Sequence, residues 1–136
     1  MKSVSIMIKF TYTILYVQDV TKSIEFYENA FGFERIFITP GNEYGELSTG
    51  NTILSFASHE QAGSNFSDGF TKSSRSNKPF GIEIGFTTDD VEGVYNQAVE
   101  AGAMPLEQAK VKPHGQTVAY VRDPDGFLIE ICTPMG

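Results

Sequence analysis

The 136-residue sequence predicts one domain of the α+β class, made of two similar halves that each run strand, helix and three strands. Three observations lead to this prediction. Each half holds one segment whose apolar residues recur with helical spacing, among segments that alternate like strands. An Asp-Val pair precedes both helical segments, at 19–20 and at 90–91. A turn sequence, TGN at 49–51 and DPDG at 123–126, precedes the last strand of both halves, so the chain looks like an internal duplication.

A predicted helix over residues 19–31 follows the first strand, which we place at 10–17. Asp19 or Thr21 can cap the start of this helix, and Gly32 lies where a C-terminal cap needs a positive φ. The apolar residues of one helical face are Val20, Ile24, Tyr27 and Phe31.

Three shorter strands complete the first half, which we place at residues 10–58. Alternating apolar residues and the turn residues between them predict strands at 35–38, 44–47 and 52–57.

The second half, residues 80–133, repeats this order. A strand is predicted at 80–86, and we expect Asp89 and Glu92 to form a capping box at the start of the next helix. The buried stripe of that helix is Val91, Val94, Tyr95 and Ala98.

The last two strands are predicted at 116–122 and 127–133, and the tetrapeptide Asp-Pro-Asp-Gly joins them. Asp at its first position, Pro at its second and Gly at its fourth are the preferences of a type I turn.

Residues 59–79 separate the two halves and are rich in Ser, Gly and Asn. Phe66 and Phe70 are the only large apolar side chains in this segment. A loop of this length is unusual in a compact domain unless it is functional or mobile. We therefore keep two interpretations, a flexible linker and a lid over a ligand site.

Composition excludes some classes of partner. The chain has 10 Lys and Arg against 17 Asp and Glu, and this net charge of -7 repels a phosphate backbone and argues against nucleic acid. No apolar stretch is long enough to span a bilayer, so we expect no membrane partner. The single cysteine, Cys132, cannot form a disulfide within the chain, which fits a reducing compartment. We therefore predict a soluble cytoplasmic protein.

Two segments resemble the vicinal oxygen chelate superfamily, which includes glyoxalase I, bleomycin-resistance proteins and extradiol dioxygenases. They are YTILYVQDVTKSIEFYENAFGF at 12–33 and VRDPDGFLIEI at 121–131. The resemblance implies two βαβββ modules that form cupped mixed sheets around a cleft, in a homodimer that often shares its modules between chains. It does not specify an activity, because the superfamily contains metalloenzymes and metal-free binding proteins.

The resemblance also places four metal-ligand positions, which here are Tyr12, Ser55, Glu83 and Glu130. Metalloenzymes of the superfamily fill at least three of these positions with His or Glu, so the ligand set of this chain is incomplete. Serine is a poor ligand, and tyrosine binds metals well only as phenolate. We therefore expect no resident metal, and we keep as the alternative a weakly bound Mg²⁺, Mn²⁺ or Ni²⁺ on Glu83 and Glu130.

Strand parity extends these positions to the lining of a small-molecule cleft. The expected ligand-binding residues are Tyr12, Ile14, Tyr16, Ile53, Ser55, Glu83, Gln116, Glu130 and Cys132. Glu83 and Glu130 are also the catalytic candidates. We interpret Cys132 as a small core residue, because no histidine is placed near it to lower its pKa. Glu46 is either a pocket acid or a residue that faces solvent from an edge strand, and we favour the second interpretation.

These residues leave several functions open. The first hypothesis is a metal-free protein that binds a small molecule, as drug-resistance members of the superfamily do, and an acidic cleft suits a cationic compound. The second is a divalent-metal-assisted lyase or isomerase in which Glu83 or Glu130 moves a proton beside a substrate carbonyl. An extradiol-type dioxygenase is a further alternative, although His59 and His114 lie outside the positions of its two-His-one-carboxylate set. The last is a cleft without function, whose acids pair with buried Lys or Arg.

Overall fold

A computed structural model of the chain describes residues 6–135, and residues 1–5 and 136 of the predicted single domain lie outside this range. Within it, eight strands form two four-stranded mixed sheets, and three helices accompany them. This composition confirms the α+β class. No helix in this range is long and apolar enough to cross a membrane.

The first sheet is built from the segment that precedes residue 59. Its elements are β1 (Tyr12–Val17), α1 (Val20–Phe31), β2 (Glu34–Ile38), β3 (Tyr44–Ser48) and β4 (Ile53–Ser58). The strand order is β1-β4-β3-β2, in which β1 runs parallel to β4 and the other neighbours are antiparallel. A short helix, α2 (His59–Gly63), follows β4 directly.

The second sheet repeats this topology. Its elements are β5 (Glu83–Thr87), α3 (Val91–Glu100), β6 (Met104–Val111), β7 (Thr117–Arg122) and β8 (Leu128–Cys132). The strand order is β5-β8-β7-β6, again with one parallel pair, β5 and β8. The identical order in both sheets confirms that the chain consists of two βαβββ modules.

Helix α1 forms where its apolar stripe predicts it. Asp19 is the N-cap, and its side chain accepts a hydrogen bond from the backbone N–H of Lys22 at 3.1 Å. Gly32 ends the helix in the left-handed conformation, with a φ of 73°, and donates its N–H to Glu28 O at 2.9 Å. Thr21, the alternative cap, lies inside the helix.

The start of α3 differs from the prediction by one residue. The N-cap is Asp90, whose side chain accepts a hydrogen bond from Gly93 N at 3.0 Å, so the expected capping box of Asp89 and Glu92 is wrong. Both aspartates have a suitable side chain, and only the backbone geometry decides which of them reaches a free N–H.

The sequence pattern did not locate β6, and it placed the start of β5 at Phe80 instead of Glu83. Seven of the eight residues of β6 are exposed, so this strand lacks the alternation on which a strand prediction depends.

Both modules contribute to one hydrophobic core. Tyr27 of α1 is fully buried, and its ring centroid lies 5.3 Å from that of Phe56 in β4 and 6.4 Å from that of Phe86 in β5. The ring of Phe31 lies 4.9 Å from that of Phe86. Burial of each large aromatic side chain contributes about 1.5–3 kcal/mol. This shared core occupies one face of each sheet and leaves the other face for a site.

Polar contacts at the Asp-Pro-Asp-Gly turn also join the modules. Asp123 is only 1% exposed and accepts a 2.6 Å hydrogen bond from the hydroxyl of Tyr27. Asp125 accepts a 3.0 Å hydrogen bond from the hydroxyl of Ser23. Both donors belong to α1, so the last turn of the second module is bound to the helix of the first.

Two arginines fix the segment before β5 to the same turn. Arg122 is buried and donates to Gly126 O at 2.9 Å and to Ser74 O at 3.0 Å, while Arg75 donates to Asp123 O at 3.0 Å. Gly126 has a φ of 90°, and a Cβ there would lie 2.7 Å from the backbone carbon of Ser74. The close approach of two backbone segments therefore requires glycine at this position.

Candidate functional site

Glu83 and Glu130 lie on one face of the second sheet. Gly85 is the register partner of Glu130, and Glu83 precedes Gly85 by two residues, so all three point to the same side. A Cβ at Gly85 would stand 3.4 Å from Oε1 of Glu130. The space that the glycine leaves is therefore taken by the carboxylate of Glu130.

Glu83 and Glu130, hereafter the acid pair, interact directly. Partial burial raises the pKa of Glu83, and the hydrogen bond and the negative charge of Glu130 raise it further. This is the direction expected for one member of a carboxyl pair that shares a proton. Among the residues that the structure describes, neither acid forms an ion pair with Lys or Arg. This observation argues against the interpretation in which the acids are buried structural partners of a cation.

Tyr120 is the third polar group at the acid pair, and the sequence analysis missed it. It is the register partner of Glu130 on β7, and its hydroxyl lies 3.5 Å from Oε2 of Glu130. Burial, followed by the charges of Glu130 and Glu83, raises the pKa of Tyr120. The hydroxyl therefore remains a neutral donor. Only the register of β7 against β8 could have identified this residue.

Cys132 lies two residues beyond Glu130 on β8 and is buried. Burial raises the pKa of its thiol, and the charges of Glu130 and Glu83 act in the same direction. A thiol in this environment stays protonated and is a poor nucleophile.

The first sheet presents another set of the expected residues on one face. The register places Tyr12 beside Ile53 and Ile14 beside Ser55, and Tyr16 follows two residues later on the same side. Tyr12 is 45% exposed, whereas Ser55 is fully buried.

Tyr44 and Glu46 belong to this face as well, which corrects the expectation that Glu46 faces solvent. Glu46 is the register partner of Ser55 and accepts a 2.7 Å hydrogen bond from the hydroxyl of Tyr44. The buried Oγ of Ser55 has no hydrogen-bond partner in the described part of the chain. The sequence could not show that β3 is an inner strand. Because β3 pairs with β4, Glu46 lies beside Ser55 on the same face of the sheet. We call Tyr12, Tyr44, Glu46 and Ser55 the first-sheet group.

The first-sheet group and the acid pair do not meet within a single chain. No hydrogen bond or ion pair among residues 6–135 joins them. The groups that raise or lower the pKa of Glu83 all belong to the second sheet. The acid pair and the first-sheet group are therefore two separate sets of polar side chains, one on each sheet.

The segment at 59–79 packs against the face of the first sheet that carries the first-sheet group. The ring of Phe70 lies 4.9 Å from that of Tyr16 in an edge-to-face contact, and the ring of Phe66 lies 6.4 Å away. His59, at the start of α2, lies 5.9 Å from Phe70. The two phenylalanines thus pack against Tyr16 at the end of the first-sheet face.

The structure does not bring Gln116 to the acid pair. Its side-chain Nε2 donates to Thr133 O at 2.7 Å, and its Oε1 lies 2.6 Å from Nε2 of His114. Both ends of the amide are therefore already in hydrogen bonds at the start of β7. His114 is exposed.

The residues present do not fit a complete metal centre. No set of three or more His, Cys, Asp or Glu side chains within residues 6–135 is arranged to hold a metal ion. The acid pair supplies two carboxylates, and the other two aligned positions, Tyr12 and Ser55, supply poor donors. Zinc and iron sites prefer imidazole, and neither the acid pair nor the first-sheet group contains a histidine.

Known proteins share this architecture. Residues 9–131 match the family model of the Glyoxalase/Bleomycin resistance protein/Dioxygenase superfamily. The chain belongs to this superfamily. It is 30% identical over 122 residues to the uncharacterized protein YraH of Bacillus subtilis. The matched region covers 86% of this chain and 91% of that protein.

Relatives within the superfamily include proteins named as enzymes. Lactoylglutathione lyase GLX1 of Arabidopsis thaliana is 29% identical over 129 residues, which is 90% of this chain but 43% of that protein. The structure of a glyoxalase-related enzyme from Fulvimarina pelagi superposes with a TM-score of 0.81 at 23% identity, over 96% of this chain and 94% of that one. These matches confirm the superfamily, whose members differ in activity, so the site must indicate the function.

Proposed function

We propose that this superfamily member binds a small organic cation, such as an aromatic amine, in an acidic cleft lined by tyrosines. The acid pair carries the proposal. Two carboxyls that face each other without a Lys or Arg partner among the described residues have an uncompensated negative charge. A bound ammonium or guanidinium group would compensate this charge and oppose the rise in the pKa of Glu83.

The surroundings of the acid pair suit such a ligand. Tyr120 offers a hydroxyl and an aromatic ring beside Glu130, and the first-sheet group offers two more tyrosines and Glu46. Aromatic faces attract cations, and a few convergent polar groups on apolar walls are typical of small-molecule sites.

A second copy of the chain would complete the cleft. Large apolar side chains are exposed along β1, before β1 and before β5, and these are Ile6, Met7, Ile8, Phe10, Tyr12, Ile14, Phe80 and Ile82. A contiguous exposed apolar patch marks an interaction surface, and we infer that these side chains form one. In a homodimer this surface would be buried, and the first-sheet face of one protomer would lie opposite the acid pair of its partner.

Isothermal titration with a set of aromatic amines and guanidines tests the proposal. We expect Glu83→Gln and Glu130→Gln each to weaken binding of the best compound by about tenfold or more, because a hydrogen bond to a charged group contributes about 1.5–3 kcal/mol. Glu25→Gln, an exposed acid on α1, is the matched control and should not change the affinity. Equal affinity of all three variants would contradict the proposal.

A divalent-metal-assisted lyase or isomerase is the second candidate, because relatives at 28–29% identity are named as lactoylglutathione lyases. The residues fit this reaction less well, since only the acid pair could contact a metal. One of the two carboxyls would then move a proton beside a substrate carbonyl. Metal analysis of protein purified without chelator decides between the candidates: Mg, Mn or Ni at one per chain supports the lyase, and protein without metal that binds amines supports the first proposal.

A further inference from the structure

An apolar groove lies between the two sheets, where β1 and β5 are edge strands. Within residues 6–135 no strand pairing joins these two edges. A cavity of about 170 Å³ opens in the groove, and its walls carry no charged side chain. They include Thr13, Ile14, Leu15, Phe80, Ile82 and Leu128. None of these residues belongs to the acid pair or to the first-sheet group.

The walls of this groove are open to solvent in the single chain. Ile82 is 75% exposed, and Ile14 and Phe80 are 37% and 38% exposed. An edge strand also presents backbone N–H and C=O groups that have no partner in the sheet. Exposed apolar side chains beside such groups favour the binding of another extended segment.

The chain carries a segment with matching properties directly before β1. Residues 6–10, hereafter the N-terminal segment, read Ile-Met-Ile-Lys-Phe and belong to no helix or strand. Its apolar side chains are exposed by 67% at Ile6, 80% at Met7, 86% at Ile8 and 88% at Phe10. Branched and aromatic residues at alternate positions, here 6, 8 and 10, are typical of a strand with one apolar face. The N-terminal segment thus has the pattern of a strand but pairs with no strand of its own chain.

The groove and the N-terminal segment match in size and in charge. An apolar cavity of about 150 Å³ holds a benzene ring, so the cavity of about 170 Å³ is large enough for the ring of Phe10. Two copies that each have a net charge of -7 repel one another. Lys9 is the only charged residue of the segment, so this contact brings no acid of the segment toward the other acidic chain.

A second copy can present the segment to the groove more directly than the same chain can. Phe10 lies two residues before β1, and the groove runs along β1 from Thr13 to Leu15. To enter its own groove, the chain would have to reverse its direction inside β1. The segment of a second copy can enter in extended form. With two-fold symmetry each chain gives one segment and receives the other, so the contact closes at the dimer.

We propose that the N-terminal segment of one chain binds in the groove between β1 and β5 of a second copy, with Phe10 in the cavity. This inference rests on the homodimer of the proposed function but not on its amine ligand. It states which surfaces of the two chains meet, and it gives both the exposed segment and the exposed groove a partner.

Sedimentation equilibrium of three aspartate variants tests the contact. Phe10→Asp and Ile82→Asp should each raise the dissociation constant of the dimer at least about a hundredfold. The contact is lost twice in a symmetric dimer, and each buried large apolar side chain contributes a factor of about ten or more. Both residues are exposed in the single chain, so the variants should fold. Val111→Asp, at a 69% exposed position of β6 outside the groove, is the matched control and should stay dimeric. Equal dissociation constants for all three variants would overturn the proposal.

Photo-crosslinking from a benzophenone side chain at position 10 identifies the surface that the segment touches. In an equal mixture of isotope-labelled and unlabelled chains, we expect crosslinks to residues 80–84 or 127–128 of the other chain. Crosslinks within one chain, crosslinks to another surface, or a dimer without crosslinks would each contradict the proposal. Titration of the natural protein with the best amine is read separately. A correct crosslink without amine binding would refute the amine cleft alone, and amine binding with a wrong crosslink would refute the segment exchange alone.

Discussion

Replacing Asp123 by asparagine tests the buried contact between the two modules. The carboxyl of Asp123 accepts hydrogen bonds from the hydroxyl of Tyr27 at 2.6 Å and from the backbone N–H groups of Asp125 and Phe127 at 2.9 Å. Asparagine has the same shape and keeps one oxygen for the two backbone donors, while the hydroxyl of Tyr27 can turn to accept from its amide. The substitution therefore removes the charge and preserves the packing.

The expected magnitude follows from the pKa. Burial raises the pKa of Asp123 from an ordinary value of 3.8 to about 6, even though the hydrogen bonds oppose this shift. Because the folded protein binds the proton more tightly than the unfolded chain, this group stabilises the fold most below pH 4. Its contribution is lost as the pH rises through about 6. This rise in the pKa of Asp123, from 3.8 to about 6, corresponds to about 3 kcal/mol in the free energy of unfolding.

Urea unfolding from pH 4 to pH 8 measures this effect. Asp123→Asn cannot lose a proton, so the free energy of unfolding of the variant minus that of the natural protein should rise by about 3 kcal/mol across this range. Asp89→Asn removes an exposed carboxylate and is the matched control. Tyr27→Phe should steepen the pH dependence, because it removes a donor that lowers the pKa of Asp123.

The reasoning would be refuted if the difference in free energy of unfolding between Asp123→Asn and the natural protein stayed constant from pH 4 to pH 8. Constant here means within about 0.5 kcal/mol, the usual additivity error. Such a result would mean that the carboxyl of Asp123 has the same proton affinity in the folded and the unfolded chain.

Three further predictions concern the site and its assembly. Glu130→Gln should keep the fold and change the free energy of unfolding without ligand by less than about 1 kcal/mol, and a loss above about 3 kcal/mol would show that Glu130 is one half of a buried ion pair. Sedimentation equilibrium at micromolar concentration should give a homodimer, and a single species of 15.0 kDa would contradict the shared cleft. Limited chymotrypsin digestion should cut first at Phe66, which is 46% exposed, and a saturating amine should slow the cut. Equal rates with and without the amine would remove the lid role of residues 59–79.

Local pattern in the sequence was enough for most of the elements. The 3.6-residue spacing from Val20 to Phe31 and the cap residues Asp19 and Gly32 predicted α1, because both signals act between residues a few positions apart. The turn at 123–126 followed from its own four residues, and the hydrogen bond from Gly126 N to Asp123 O at 2.9 Å closes it. The sequence also pointed to the acid pair, because burying an unpaired carboxylate in an apolar strand such as β8 would be costly.

Only the tertiary structure decided how these side chains meet. The contact of Tyr120 with Glu130 and the alignment of Glu46 with Ser55 depend on strand register, and register is set by hydrogen bonds between segments far apart in the chain. The strand β6 has no alternation of its own, and pairing with β7 alone makes it a strand. The burial of Asp123 depends on packing against Tyr27, 96 positions earlier. Local pattern is short-ranged, whereas burial and charge coupling depend on distance in space.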